Sequence, residues 1–144
     1  MITTTREALR QTKLSSDGEL YRLVQLPSNA ITLAAGVLAE VGSAFTALIV
    51  DRDEVTLILP DEAVEEFEGR LRDATIDASG YRLITFDAIL PAGLVGYMAA
   101  ISASMARVGV SIIPMGAYSR DHILVREGQF EIAMSSLQTM INEA

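Results

Sequence analysis

Apolar and polar positions along this chain fall into short alternating runs and longer helical stripes, and the succession occurs twice. Tyr21-Arg22-Leu23-Val24 returns sixty residues later as Tyr81-Arg82-Leu83-Ile84. Each copy opens a strand, over 19–26 in the first case and 81–87 in the second. An apolar, alanine-rich helical stretch follows and stops at a glycine, Gly42 or Gly109, the residue best suited to end a helix. Then come a β-branched strand, a polar turn and a returning strand: 44–51 and 55–59 in the first half, 110–118 and 121–126 in the second. Each half closes on an amphipathic helix. The first starts at Pro60-Asp61 with Val64, Phe67, Leu71 and Ala74 on one face, and the second carries Phe130, Ala133, Met134, Leu137 and Ile141.

A supersecondary order repeated at fixed spacing predicts architecture. Here it is α+β: two ferredoxin-like βαββαβ repeats, each with an antiparallel sheet and its helices packed on one face. Residues 1–18 show no sustained period and end in the turn-rich Ser15-Ser16-Asp17-Gly18, so a flexible N-terminal tail with one helical turn is expected there, followed by repeats over 19–78 and 79–144. Ser28 or Asn29 is placed to cap the first helix, which is apolar nearly all round with Glu40 its only charge and so calls for cover on every side. The acidic run Glu62, Glu65, Glu66 and Glu68 is a solvated face, with Glu66/Arg70 and Glu68/Arg72 spaced for pairing along a helix.

Composition narrows the function. A formal charge of −8 and a pI near 4.5 oppose phosphate backbones and anionic lipid, so no nucleic-acid or membrane partner is expected. The apolar stretch 89–105 is broken by Pro91, Gly93, Gly96, Ser102 and Ser104 and suits a loop plus buried helix better than a span. With no cysteine there is no disulfide or thiolate, and the first eighteen residues lack the apolar core of a signal peptide, so the expected location is cytoplasmic. The chain has one histidine and neither a serine-nucleophile elbow nor a phosphate loop, so no catalytic residue is assigned. No cofactor or metal is expected either: Asp51, Asp53 and Glu54 crowd one turn without the alternating oxygens and glycine of a calcium loop. Asp121 and His122 point to opposite faces of a strand, which separates them as an acid–base pair and leaves His122 a half-buried strand residue with one hydrogen bond.

The stretch Leu90-Pro91-Ala92-Gly93-Leu94-Val95-Gly96 leads from a strand into a helix start with small residues at two points. Unpaired amides and the helix dipole favour a carboxylate there, while Asp121 can take an ammonium group, so the two together suit a free α-amino acid. Gly93, Leu94, Val95 and Gly96 form the loop side of this candidate site, and Met115, Gly116, Ala117 and Asp121 the strand side. The same spacing also suits an ordinary helix entry in which glycine permits close packing.

With Ala106-Arg107-Val108-Gly109-Val110-Ser111-Ile112 and Ala117-Tyr118-Ser119-Arg120-Asp121-His122-Ile123-Leu124-Val125, that stretch resembles the ACT-domain superfamily. The chain is most similar to small bacterial tandem-ACT proteins, which are related to the ACT domains of aspartate kinases and the cytosolic arginine sensor. Residues 45–59, centred on Asp53-Glu54-Val55-Thr56-Leu57, agree with that resemblance. It implies a non-catalytic regulatory or sensing module that binds a free amino acid or similar metabolite at an interface between ACT units, through Asp121 and 93–96. It also implies a homodimer and, since no regulated domain accompanies the repeats, an enzyme partner in trans. Docking on such an enzyme without any small ligand is the alternative.

Overall fold

The computed structural model describes residues 1–42 and 45–144. In chain order its elements are α1 (Thr5–Gln11), β1 (Lys13–Ser15), β2 (Leu20–Pro27), α2 (Ile31–Glu40), β3 (Ala47–Val50), β4 (Glu54–Pro60) and α3 (Asp61–Glu66). There follow β5 (Thr75–Ile76), β6 (Tyr81–Asp87), α4 (Tyr97–Arg107), β7 (Ile112–Gly116), β8 (Asp121–Arg126) and, after a single 3-10 turn, α5 (Phe130–Asn142). They make two compact units, one of Glu19–Tyr81 and one of Met1–Gly18 with Arg82–Ala144. Each has the βαββαβ order.

In the unit Glu19–Tyr81, alternation along β2 sends Val24 and Leu26 to one face, and antiparallel pairing sets them opposite Leu57 and Val55 of β4. Ala34 and Val37 of α2 and Ala63, Val64 and Phe67 around α3 cover that face and close the core. Neither Ser28 nor Asn29 caps α2; its cap is Ala30, whose N–H bonds the Pro27 carbonyl, and no side chain assists. Within this unit α2 is buried on one side only, and Ile31 stays about half exposed (45%). The expected strand start at residue 44 lies outside the described residues. The helix expected through Ala74 ends at Glu66, short of Gly69, the poorest helix former after proline; turns follow, yet Phe67 and Leu71 stay buried. Arg70 therefore pairs with Glu40 of α2 rather than with Glu66, its guanidinium 5.5 Å from the centre of the Phe67 ring.

In the other unit Ile84 and Phe86 of β6 and Ile123 and Val125 of β8 face Ile101, Met105, Ala133 and Leu137 of α4 and α5. Residues 1–18, expected as a flexible tail, belong to this core. Thr4 caps α1 by accepting the Glu7 N–H at 3.2 Å, and Ala8 and Leu9 are buried in the cluster. β1 pairs antiparallel with β6, Leu14 opposite Phe86 and Ser15 opposite Thr85, just as Thr75 of β5 lies opposite Gln25 of β2. Ser15 and Thr75 are sixty residues apart, as are Gln25 and Thr85, so β1 is the fourth and last strand of the second repeat, supplied from the N-terminal side. The recurring Tyr-Arg-Leu gains a physical meaning from this arrangement. Arg22 pairs with Asp61 at 3.0 Å and donates to the Asp77 carbonyl; Arg82 pairs with Glu127 at 2.8 Å and donates to the Gly18 carbonyl. Each arginine ties the acid after its repeat's third strand to the segment that follows its fourth.

Candidate functional site

The residues linking β6 to α4 and the turn linking β7 to β8 enclose a hollow of about 440 Å³. Two main-chain bonds set its shape: the Leu90 N–H donates to the Ser119 carbonyl at 2.8 Å, and the Ala117 N–H to the Arg120 carbonyl at 2.9 Å. Gly96, with φ of +95°, makes the left-handed turn into α4 that a side chain would strain. A Cβ there would also sit 3.3 Å from the Thr5 hydroxyl, which donates to the Val95 carbonyl at 2.8 Å and holds the loop from α1.

No side chain caps α4, and Gly96 to Ala99 line the hollow, so the orphan amides and positive dipole end of an eleven-residue helix lie along its wall. Tyr97 stands in the same wall, its ring edge-on to Phe86 and its hydroxyl 2.6 Å from the Thr12 oxygen. Thr12 gives its one hydroxyl proton to the Ala8 carbonyl, so Tyr97 is the donor in that pair. Burial raises the Tyr97 pKa, the Thr12 bond opposes this, and the charge of Asp121 adds to the rise.

Asp121 faces the same hollow, half-buried. Its neighbour Arg120 is committed elsewhere, to Asp87 at 2.7 Å and the Ser119 hydroxyl at 3.2 Å, and among the described residues the Asp121 carboxylate has no hydrogen-bond or ion-pair partner. Burial lifts its pKa above the ordinary carboxylate value, with the charge of His122 pulling the other way. His122 lies outside the lining and exchanges a 2.9 Å hydrogen bond with Thr85; burial lowers its pKa, against the opposing charge of Asp121. The result is a concave surface lined by helix-start donors and by a carboxylate that, among the described residues, has no hydrogen-bond or ion-pair partner.

No protein-family model matches this chain, and no curated protein matches it in sequence. Solved structures do. A Vibrio cholerae protein of unknown function, 20% identical, superposes with a TM-score of 0.75 over 96% of each chain. The regulatory subunit of Thermus thermophilus aspartate kinase, in its ligand-free form, is 15% identical with a TM-score of 0.66, covering 88% of this chain and 95% of that one. Aspartokinase alpha and beta subunits give 0.65 at 17% identity over 91% and 98%. The fold is ACT-like.

Within the second ACT-like unit, Leu94, Gly96, Ala117 and Asp121 of the sequence-derived site line the hollow, and Gly93, Val95, Met115 and Gly116 do not. Val95 is 87% exposed and contributes its carbonyl to the Thr5 bond instead. Met115 pairs with His122, one position away from the Gly116–Asp121 pair, so alternation turns it from the hollow. Gly116 leaves the carboxylate clear, since a Cβ there would lie 3.6 Å from Asp121 Oδ1. Gly93 has no positive φ, and a Cβ at its position would meet open space within 4 Å, so nothing in the packing requires glycine. Sequence reasoning missed Tyr97 and Arg120. The first follows the left-handed glycine directly and the second precedes Asp121, and the Leu90–Ser119 bond, with the Arg120–Asp87 ion pair, holds their segments together. The crowded Asp51 accepts the Asp53 and Glu54 N–H groups at 2.8 and 2.9 Å, a role internal to its own turn.

Proposed function

We propose that this chain is a non-catalytic sensing module that binds a free α-amino acid in the hollow between α4 and the β7–β8 turn. The observation that carries this reading is the Asp121 carboxylate, half-buried and unpartnered among the described residues, across from the open start of α4. A ligand ammonium would relieve its burial cost, and the ligand carboxylate would take the α4 amides. Leu90, Leu94 and Met98 then supply an apolar wall for the side chain. The ACT-like fold, shared with aspartate kinase regulatory subunits, supports a regulatory role in which ligand occupancy is passed to a separate enzyme.

A second reading, a protein-docking module without a small ligand, is favoured by one feature. Ile89, Val95 and Tyr118 are 67%, 87% and 103% exposed, and all three belong to the two segments that shape the hollow. Such side chains suit cover by another protein surface, and in the first reading that cover is a second copy of the chain.

Thermal unfolding of ligand-stripped protein against each free amino acid, with Asp121→Ala in parallel, tests the two. At about 100 times its Kd a ligand adds roughly 2.7 kcal/mol, a shift of several degrees for a chain of this size. A shift confined to one or two amino acids and absent in Asp121→Ala supports sensing. A flat panel on folded protein rejects it in favour of docking.

A further inference from the structure

A larger hollow, about 650 Å³, lies on the helical side of the same unit, among α1, α4 and α5. It shares no residue with the Asp121 hollow. Arg6 and Arg107 both line it, and among the described residues neither side chain has an ion-pair or hydrogen-bond partner. Among the described residues five of the ten arginines find carboxylates; Arg6 and Arg107 are exposed and unpaired, as Arg72 and Arg126 are, but these two share one cavity. Arg107 stands in the last turn of α4, where the dipole welcomes a cation. Arg6 stands in the first turn of α1, where the dipole opposes one, so helix electrostatics do not account for it. Hydroxyls of Ser135 and Ser136 and the apolar side chains of Leu9 and Met140 share the lining, and Glu143 is its single carboxylate side chain.

We propose that this hollow is a second ligand site, for a small organic dianion whose charged head is gripped by Arg6 and Arg107 and whose carbon skeleton lies against Leu9 and Met140. Guanidinium forks pair two N–H donors with two oxygens, so a phosphate monoester and a dicarboxylate share the required chemistry. Ser135 adds a neutral donor beside the head group, while the Ser136 hydroxyl is held by Ser104 at 2.9 Å. Glu143 disfavours the anion and sets the affinity below what the arginines alone would give.

The test uses phenyl phosphate and phthalate as probes, titrated into the full chain at ionic strength held constant with chloride, with binding followed by calorimetry. Saturable one-to-one binding of either probe is expected, and the tighter of the two identifies the head group. Arg6→Ala and Arg107→Ala each weaken it about tenfold or more, the worth of one charge-assisted contact. Glu143→Gln strengthens it. Arg126→Ala, at an exposed arginine outside the hollow, leaves it unchanged, as does Asp121→Asn, which separates this site from the amino-acid site. Absence of saturable binding for both probes, or equal weakening by Arg126→Ala, overturns the proposal. Circular dichroism of each variant confirms that a loss is not unfolding.

Discussion

The two ACT-like repeats are the same device up to one point and different after it. From Tyr21 to Pro27 the first matches the second at a spacing of sixty; from α2 onward, Ile31 matches Tyr97 and Asp61 matches Glu127 at sixty-six. The six additional residues all fall between the first strand and first helix, where the first repeat has three residues, 28–30, and the second has nine, 88–96. At that second spacing Asp121 corresponds to Val55, which is wholly buried in its own core. The turn before it is the same hairpin, closed by Asp51 N–H to Glu54 O at 3.2 Å in one and Ala117 N–H to Arg120 O at 2.9 Å in the other. In the first repeat the Asp51 side chain fills that turn's free amides; in the second the corresponding residue is alanine. The hollow of the second repeat thus accompanies three local changes on an unchanged frame: a longer loop, an acid in place of valine, and a turn without its plug.

Asp121→Val, which gives the second repeat the first one's residue, should sharpen this contrast most. It is expected to abolish amino-acid stabilisation altogether, a loss of roughly 2–5 kcal/mol of binding for a truncated charge pair, while the ligand-free protein stays folded. Retained stabilisation in a thermal shift would mean that the carboxylate is not the recognising group. Next in size is Gly96→Ala. A left-handed φ of +95° costs an alanine about 1–2 kcal/mol, and the tight approach to Thr5 adds to it, so Tm falls by several degrees. Gly93→Ala, three residues earlier in the same loop, should move stability by less than about 0.5 kcal/mol. Equal losses at the two glycines would break the account of how the longer loop enters α4. The shared frame predicts smaller and matched effects: Arg22→Ala and Arg82→Ala should each cost about 1 kcal/mol or less by urea unfolding, because both ion pairs are partly solvated. A large difference between them would show that the repeats do not use this clamp alike.

How far all this was readable from the sequence follows the range of the interactions. β6 over Tyr81–Asp87 and β8 over Asp121–Arg126 were legible to the residue, because alternation there is bounded by clear turns. α3 was not, since Phe67 and Leu71 keep a helical spacing, and stay buried, through a segment that Gly69 has already turned out of the helix. β1 was lost for a different reason. Three residues, Lys13–Ser15, carry no period, and their partner lies seventy residues on; only the match of Asp17 to Asp77 at the same spacing of sixty signals that the repeat begins upstream of Glu19. Asp121 and Gly96 were legible as candidates, a carboxylate and a helix start without bulky side chains, but the left-handed turn at Gly96 was not. Tyr97 and Arg120 were not, because their places in the lining depend on a main-chain bond between loop and turn that no local pattern encodes.

The smallest expected effect separates the repeats by pH. Burial raises the Asp121 pKa in the folded chain, so the folded state holds this proton more tightly than the unfolded one. Its contribution to stability is present below the ordinary value of 3.8 and lost as pH rises through the raised folded value, which leaves the neutral-pH protein carrying the cost of a buried charge. Val55, the matching residue, bears no such cost. Asp121→Asn should therefore unfold at a higher temperature than the parent at pH 7, by less than about 1 kcal/mol since the group is half-exposed, with the gap closing on acidification. His122 works in the opposite sense: burial lowers its pKa, so its contribution is present above the ordinary value of 6.5 and fades as pH falls through the lowered folded value. Because Asp121 raises the His122 pKa by its charge, the comparison is cleanest with His122→Gln in both proteins. In that background a gap that stays constant from pH 7 to pH 4 would show that Asp121 carries no penalty for its place in the hollow.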